Sequence, residues 1–242
     1  MKSKIKNPKS ISLMFPLYKD KKTVKSMILK TLKILKKTKK KFEIIIIDDG
    51  CPQNSGKVAQ AYSKKNSKIK VFFHKKNKGY GAAIKTGIKK SKYDCIFLID
   101  GDNEYNVNDL PRMLNAFKRN DLVITYRYKN KNNLNRIFIS WVYNMILRFL
   151  FKTNFKDVSV GSRLLSKKLK DKIIIKSDTP FLNAELAIKS KYSGYKVEEI
   201  GIQHHPRVIG NGSVVSIKNI LLMIKEIIIL FIHICLKKKL TH

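Results

Sequence analysis

Apolar and polar positions follow two alternating rhythms along the first half of the chain. Ile11–Phe15 is a short apolar run closed by Pro16, the pattern of a buried strand. Val24, Met27, Ile28, Thr31, Leu32 and Leu35 recur at helical spacing. Phe42–Ile47 is a mostly β-branched run ending in Asp48-Asp49-Gly50, so a strand feeds an acidic turn. Val58–Tyr62 fits a second helix and Ile69–Phe73 a third strand. Asn77–Gly81 is a glycine loop, and Ala82–Ile88 opens a helix behind it. Cys95–Ile99 reads as a fourth strand ending in Asp100, Asp109–Phe117 as a helix, and Leu122–Thr125 as a fifth strand.

This alternation predicts an α/β fold, a mostly parallel central sheet flanked by helices on both faces. In such sheets ligands bind beyond the carboxyl ends of the strands. The two acidic turns and the glycine loop all follow predicted strands, so three polar clusters converge on one edge. The second half has a different texture. Ile137–Phe151 is aromatic and aliphatic, preceded by Arg136 and containing Arg148. Ile217–Leu236 is apolar, broken by Lys218, Lys225 and Glu226, and followed by Lys237-Lys238-Lys239. Neither is an uninterrupted apolar run of about 20 residues, the length of a bilayer span. Both fit helices lying in a membrane interface, and both also fit ordinary core helices. Phe181–Ile188 reads as a further helix. The expected organisation is one domain over 1–215 and a C-terminal amphipathic helix with a basic tail over 216–242.

Composition narrows this picture. A chain of 242 residues with 43% hydrophobic content can bury one large α/β core. The net charge of +35 invites a nucleic-acid partner. However, 45 of the 52 basic residues are Lys, spread along the whole chain instead of forming one block, and the chain is also rich in Ile and Asn. That pattern fits a compositional bias, so no specific nucleic-acid partner is expected. Attraction to an anionic lipid surface, worth about 1 kcal/mol per Lys near it, suits the charge better. The same bias makes the seven Arg informative, because Arg makes bidentate phosphate contacts that Lys cannot copy. Cys51, Cys95 and Cys235 are odd in number and lack a C-x-x-C, which points away from disulfides and zinc and toward a reducing cytosol. The basic N-terminus leads into an apolar run containing Pro16, a strand and not a signal peptide.

The chemistry concentrates in short clusters. In Asp100-Gly101-Asp102, with Glu104 two residues on, carboxylates at i and i+2 can reach one hard cation. Mg²⁺ or Mn²⁺ bound this way keeps open positions for phosphate oxygens. The plain alternative is an acidic surface turn. Tyr105 and Pro111 at the sixth and twelfth positions exclude an EF-hand. Asp48-Asp49-Gly50 can accept hydrogen bonds from a base or ribose, or simply cap a turn. In Asn77-Lys78-Gly79-Tyr80-Gly81-Ala82-Ala83 the glycines allow close backbone approach at a helix N-terminus, where anions are favoured. Ile84 stands where a dinucleotide fingerprint needs its third Gly, and no Gly-Lys-Ser/Thr follows for a Walker A loop. His204-His205 on an extended segment point to opposite faces, which suits a polar loop and not one ion.

In order and spacing, Pro16, Asp48-Asp49-Gly50, Asn77-x-Gly79-x-Gly81-Ala82-Ala83 with Gly87, and Asp100-Gly101-Asp102 resemble family 2 glycosyltransferases of the GT-A fold. Arg127, Asp157-x-x-x-Gly161-Ser162-Arg163, Glu185 and Arg207-x-x-Gly210-x-x-Ser213 resemble the polyprenyl-phosphate, dolichol-phosphate mannose synthase-like branch. The resemblance covers residues 10–215. It implies a nucleotide-sugar donor held by Pro16, Asp48, Asp49, Gly79, Gly81 and Asp100. It further implies Mg²⁺ or Mn²⁺ at Asp102 with Glu104. Arg127, Arg163, Arg207 and Ser213 would meet phosphates of donor or acceptor. The chain departs from the family pattern at Leu17-Tyr18-Lys19-Asp20, at Cys51–Ser55 and at Thr125-Tyr126, departures that bear on which donor is used.

The implied reaction is an inverting transfer of a sugar from a UDP- or GDP-linked donor, with Asp100 and Arg127 among the catalytic residues. Its acceptor is a lipid-linked phosphate or, alternatively, a glycan hydroxyl. A phosphate acceptor is largely ionised at neutral pH, whereas a hydroxyl needs a base. Glu185 is the candidate base and Asp157 the next; the alternative for Glu185 is an exposed helix charge. The expected location is the cytoplasmic face of a membrane, held peripherally.

Overall fold

A computed structural model describes residues 7–129, 134–203 and 217–239. The elements run β1 (Ser10–Leu17), α1 (Val24–Lys37), β2 (Lys41–Asp48), α2 (Ser55–Lys65), β3 (Ile69–Phe73), α3 (Tyr80–Lys90) and β4 (Cys95–Leu98). A 3₁₀ turn (Val107–Asp109) leads into α4 (Leu110–Phe117), β5 (Leu122–Lys129) and α5 (Leu134–Phe151). Then come β6 (Arg163–Ser166), α6 (Lys167–Lys172), α7 (Leu182–Tyr192), β7 (Val197–Gln203) and α8 (Ile217–Lys239). The seven strands form one sheet in the order β3-β2-β1-β4-β6-β5-β7. β6 is antiparallel to β4 and β5, and every other pairing is parallel.

Side-chain alternation along the central strands builds two cores. Ile11, Leu13, Phe15 and Leu17 of β1 and Phe42, Ile44 and Ile46 of β2 face α1, α2 and α4. Met14, Ile45, Ile47, Ile96 and Leu98 face the other way, onto α3, α5, α7 and α8. Continuous apolar runs therefore mark β1, β2, β4 and the start of β5 as strands buried on both faces, whereas β3 is an edge strand with only Ile69 buried.

The sequence pattern did not anticipate β6 or β7. β6 has four residues, too few to show a period. β7 is an edge strand in which only Ile202 is buried. β6 matters for function because it runs backwards. Its first residue, Arg163, lies opposite Leu98 and Ile124 in the ladders, so the segment entering it passes the carboxyl ends of β4 and β5.

α5 and α8 cover the second core only in part. Ile227, Leu230 and Ile234 seat α8 on it, while Leu221, Ile228, Ile229, Ile232 and Leu236 stand exposed. On α5, Leu147 and Phe151 are buried, whereas Phe138, Ile139, Trp141 and Phe149 are exposed. By length and composition, Ile217–Leu236 is long and apolar enough to cross a membrane, although its inner face packs against protein.

Candidate functional site at the carboxyl edge of the sheet

β1, β4 and the segment before β6 deliver the acidic turn. Gly101 sits so close to β1 that a Cβ there would lie 2.4 Å from the Pro16 carbonyl oxygen. Asn103 closes the turn in the left-handed region, φ 64°, which Asn tolerates better than most residues. The Asp100 carboxylate is pressed against Gly161, where a Cβ would come within 2.2 Å of Oδ2. Its Oδ1 accepts a 3.0 Å hydrogen bond from the Tyr80 hydroxyl, which in turn lies 3.3 Å from the Asn183 amide. Burial, and then the neighbouring Asp102 and Glu104 charges, push the Asp100 pKa up to about 7. Asp102 is half-buried and accepts the Glu104 N–H at 3.1 Å. Glu104 is buried, 4.0 Å from Arg136.

Such mutual repulsion is what a divalent cation would relieve. Among the described residues no three His, Cys, Asp or Glu side chains are gathered tightly enough to hold a metal by themselves. The donor set therefore fits Mg²⁺ or Mn²⁺ held by one or two carboxylates, with phosphate oxygens completing the shell.

β2 supplies the second cluster. Asp48 turns inward: its carboxylate accepts from Cys51 N–H at 2.7 Å and Gly56 N–H at 2.6 Å, fastening the turn and the start of α2. That placement gives Asp48 the capping role that was the plain alternative for this turn. Asp49 organises the glycine loop. Oδ1 takes the Lys78 N–H (3.0 Å) and meets His74 Nδ1 (2.6 Å), and Oδ2 takes the Gly79 N–H (2.8 Å). The anion at this loop is thus the protein's own carboxylate. A carboxylate offers about four acceptor directions, and three are used here. At Gly79, φ 91°, a Cβ would only touch the Asp178 carbonyl oxygen at 3.7 Å, whereas at Gly81 it would collide with the Asp178 backbone at 2.5 Å. Gly87 packs α3 on Met14.

The arginines divide. Arg127, at the end of β5, donates from Nε to Asp157 (2.8 Å) and from a terminal nitrogen to Ser140 (2.9 Å) and Ser159 (2.7 Å). Burial works against its charge, but Asp157, Tyr105 and Glu104 outweigh it and hold the guanidinium above its ordinary pKa. Arg163 is fully buried and donates to the carbonyls of Asn183 (2.6 Å), Val158 (2.7 Å) and Val160 (2.7 Å). Burial lowers its pKa to about 10. The phosphate contact expected of Arg163 is therefore corrected: it braces the turn that presents Gly161 to Asp100.

Glu185 is neither an exposed charge nor placed as a free base. It is 2% exposed and accepts from Lys176 N–H, Ser177 N–H and Lys189 Nζ, the last at 2.5 Å. Burial would raise its pKa, but these bonds hold it below the usual carboxylate value. Arg207, Ser213 and His204-His205 lie outside the described residues.

His74, Tyr80, Asp178 and Asn183 were missed from the sequence. His74 had a signal, as the first polar residue after a predicted strand on the same edge. Tyr80 lies inside the glycine loop, but its spacing says nothing of Asp100.

The glycosyl transferase family 2 model matches residues 12–174. A protein of Methanocaldococcus jannaschii is 30% identical over 212 residues, 81% of this chain and 82% of its own length. The dolichyl-phosphate beta-glucosyltransferase of Dictyostelium discoideum is 26% identical over 177 residues, 65% of this chain and 54% of that protein. Among solved structures, glucosyl-3-phosphoglycerate synthase from Mycobacterium tuberculosis, in complex with Mn²⁺, UDP and glucosyl-3-phosphoglycerate, superposes with a TM-score of 0.69 at 15% identity. That match covers 94% of this chain and 80% of the synthase, and it shows a shared GT-A fold. With the family pattern spanning β1 to β6 and the acidic turn standing at the sheet's carboxyl edge, the chain belongs to glycosyl transferase family 2.

Proposed function

We propose that the protein transfers a sugar, with inversion, from a nucleotide-sugar to a polyprenyl-phosphate-type acceptor at a membrane surface. The observation that carries this reading is the Asp100–Asp102–Glu104 cluster, in which burial, and after it the Asp102 and Glu104 charges, raise the Asp100 pKa to about 7. Donor binding there has precedent in the UDP and Mn²⁺ held by the structurally similar synthase. Mg²⁺ or Mn²⁺ at Asp102, with Glu104 as the further ligand, would supply positive charge for the departing diphosphate. Asp49 and the glycine loop would seat the nucleoside, with Pro16 beneath Gly101 fixing the turn. Arg127, held at the end of β5 by Asp157, would meet a phosphate of the donor or acceptor.

The engaged state of Glu185 favours a phosphate acceptor over a hydroxyl, because an ionised phosphate needs no strong base. The dolichyl-phosphate relative and the exposed apolar faces of α5 and α8 support a lipid-linked one. We assign residues 1–215 to the catalytic domain and 216–242 to a membrane-interfacial helix with a basic tail, at the cytoplasmic face. The test is a panel of UDP- and GDP-sugars against polyprenyl phosphate, with and without Mn²⁺ or Mg²⁺. Metal-dependent transfer to the lipid phosphate that survives Glu185→Gln is expected. Transfer only to sugar hydroxyls, abolished by Glu185→Gln, would overturn the acceptor assignment.

A further inference from the structure

α8 is docked by a carboxylate as well as by its apolar inner face. Glu226, the single acidic residue of the helix, accepts from the Asp178 N–H at 2.8 Å and from the Thr179 hydroxyl at 2.5 Å. Both partners belong to the segment that buttresses the glycine loop. The Asp178 carbonyl accepts the Gly81 N–H at 3.0 Å, and its side chain pairs with Lys85 of α3 at 2.6 Å. The fit is tight enough that a Cβ at Gly81 would meet the Asp178 backbone at 2.5 Å. Two residues before Gly81, Gly79 N–H is bonded to Asp49. Thr179 Oγ1 also caps the start of α7 at Phe181 N–H, 3.2 Å away, two residues before the Asn183 amide that meets Tyr80. Hydrogen bonds joined by short stretches of backbone therefore lead from α8 to the Asp49 carboxylate, with a side branch toward Asp100.

We propose that Glu226 is a positioning residue: its grip on Asp178 and Thr179 sets the glycine loop, so the seating of α8 and the donor pocket are mechanically linked. The link gives α8 a role beyond attachment. Its outer side carries exposed Leu221, Ile228 and Ile232, and its inner side reaches the loop that seats the nucleoside. A lipid surface that takes up the outer face thereby favours the seated helix and the ordered loop. The functional part of this inference rests on the donor site proposed above; the mechanical part does not.

Amide hydrogen exchange on the full chain tests it without any ligand. Glu226→Ala is expected to speed exchange at Gly81 and at Ser177–Thr179 about tenfold or more, leaving Ile44–Ile47 unchanged. Glu226→Gln, which keeps an acceptor oxygen for the Asp178 amide, should fall between. Lys225→Ala, on the exposed side of α8, should match the wild type. Titration with UDP and GDP in Mn²⁺ should show affinity about fivefold weaker in Glu226→Ala, on the order of 1 kcal/mol. Unchanged exchange at Gly81, or an acceleration that reaches Ile44–Ile47 equally, would overturn the link. Failure of the wild type to bind either nucleotide would count against the donor assignment alone, since the exchange comparison stands without it.

Discussion

At the carboxyl edge of the sheet, polar side chains are bonded inward and carry an electrostatic cost, whereas on α5 and α8 large apolar side chains stand in solvent with nothing to repel them. Asp48, Asp49, Arg163 and Glu185 are each held by two or more hydrogen bonds from neighbouring segments. Asp100 is the exception that they frame, a carboxyl pushed up to about 7 by burial and by its acidic neighbours. Exposed side chains such as Phe149 at 82% and Leu221 at 62% have no such frame. The contrast teaches that this protein stores destabilisation in two forms. One is a cluster of carboxylates crowded at a buried turn; the other is apolar area left exposed on two helices.

The comparison can be broken most sharply at Gly161. Gly161→Ala would drive a methyl into the Asp100 carboxylate, and transfer activity should fall about 100-fold, about 3 kcal/mol of barrier. Unimpaired turnover would show that the Asp100 position does not matter. On the apolar side, Leu230→Ala should cost about 3 kcal/mol of unfolding free energy, because Leu230 is 4% exposed. A denaturant melt with little change would mean that α8 is not seated as described.

Asp100→Asn sharpens the electrostatic half. A carboxyl whose folded pKa rises from 3.8 to about 7 loses stability as pH climbs through that window, and the full cost is present above it. In metal-free buffer at pH 8 the variant should be more stable than the wild type by about 4 kcal/mol, with little gain near pH 4. Equal stability at both pH values would remove the repulsion from the account.

Glu185→Gln has the opposite sign. Its folded pKa lies below 4.5, so the stability its charge confers is present above that value and lost as pH falls through the folded pKa. Chemical melts at pH 7 should show a deficit of about 1.5 kcal/mol that closes under acid conditions. The smallest effect on folding belongs to Ile228→Ser, at a position 52% exposed. Stability should move by less than about 0.5 kcal/mol. Binding to anionic vesicles should nonetheless drop about fivefold, because on the order of 1 kcal/mol of apolar transfer is lost.

Much of this was legible in the chain, and the limits have physical causes. β1, β2, β4 and the start of β5 announced themselves as apolar runs because both faces of the sheet are buried there. β6 did not, because four residues carry no period and its direction depends on what it pairs with. The acidic turn and the glycine loop were placed on the right edge by their positions after strands. Spacing alone could not say which way a side chain turns. The family resemblance implies a phosphate contact for Arg163, yet its terminal N–H groups are turned inward to three backbone carbonyls. Glu185 was a base on paper because a helical position does not reveal that α7 is buried almost all round. The partnership of Tyr80 with Asp100 joins residues 20 positions apart and exists only once α3 and β4 are packed together.

The central claim, that the Asp100-Gly101-Asp102 turn is the diphosphate and metal site, is tested most directly by calorimetric titration of UDP and GDP into the wild type and Asp102→Asn. The account predicts that one of the two nucleotides binds in Mn²⁺ and that EDTA weakens it strongly. Asp102→Asn should weaken the Mn²⁺-dependent binding about 30-fold, about 2 kcal/mol. Binding of equal strength in EDTA, or an unchanged affinity in Asp102→Asn, would contradict it.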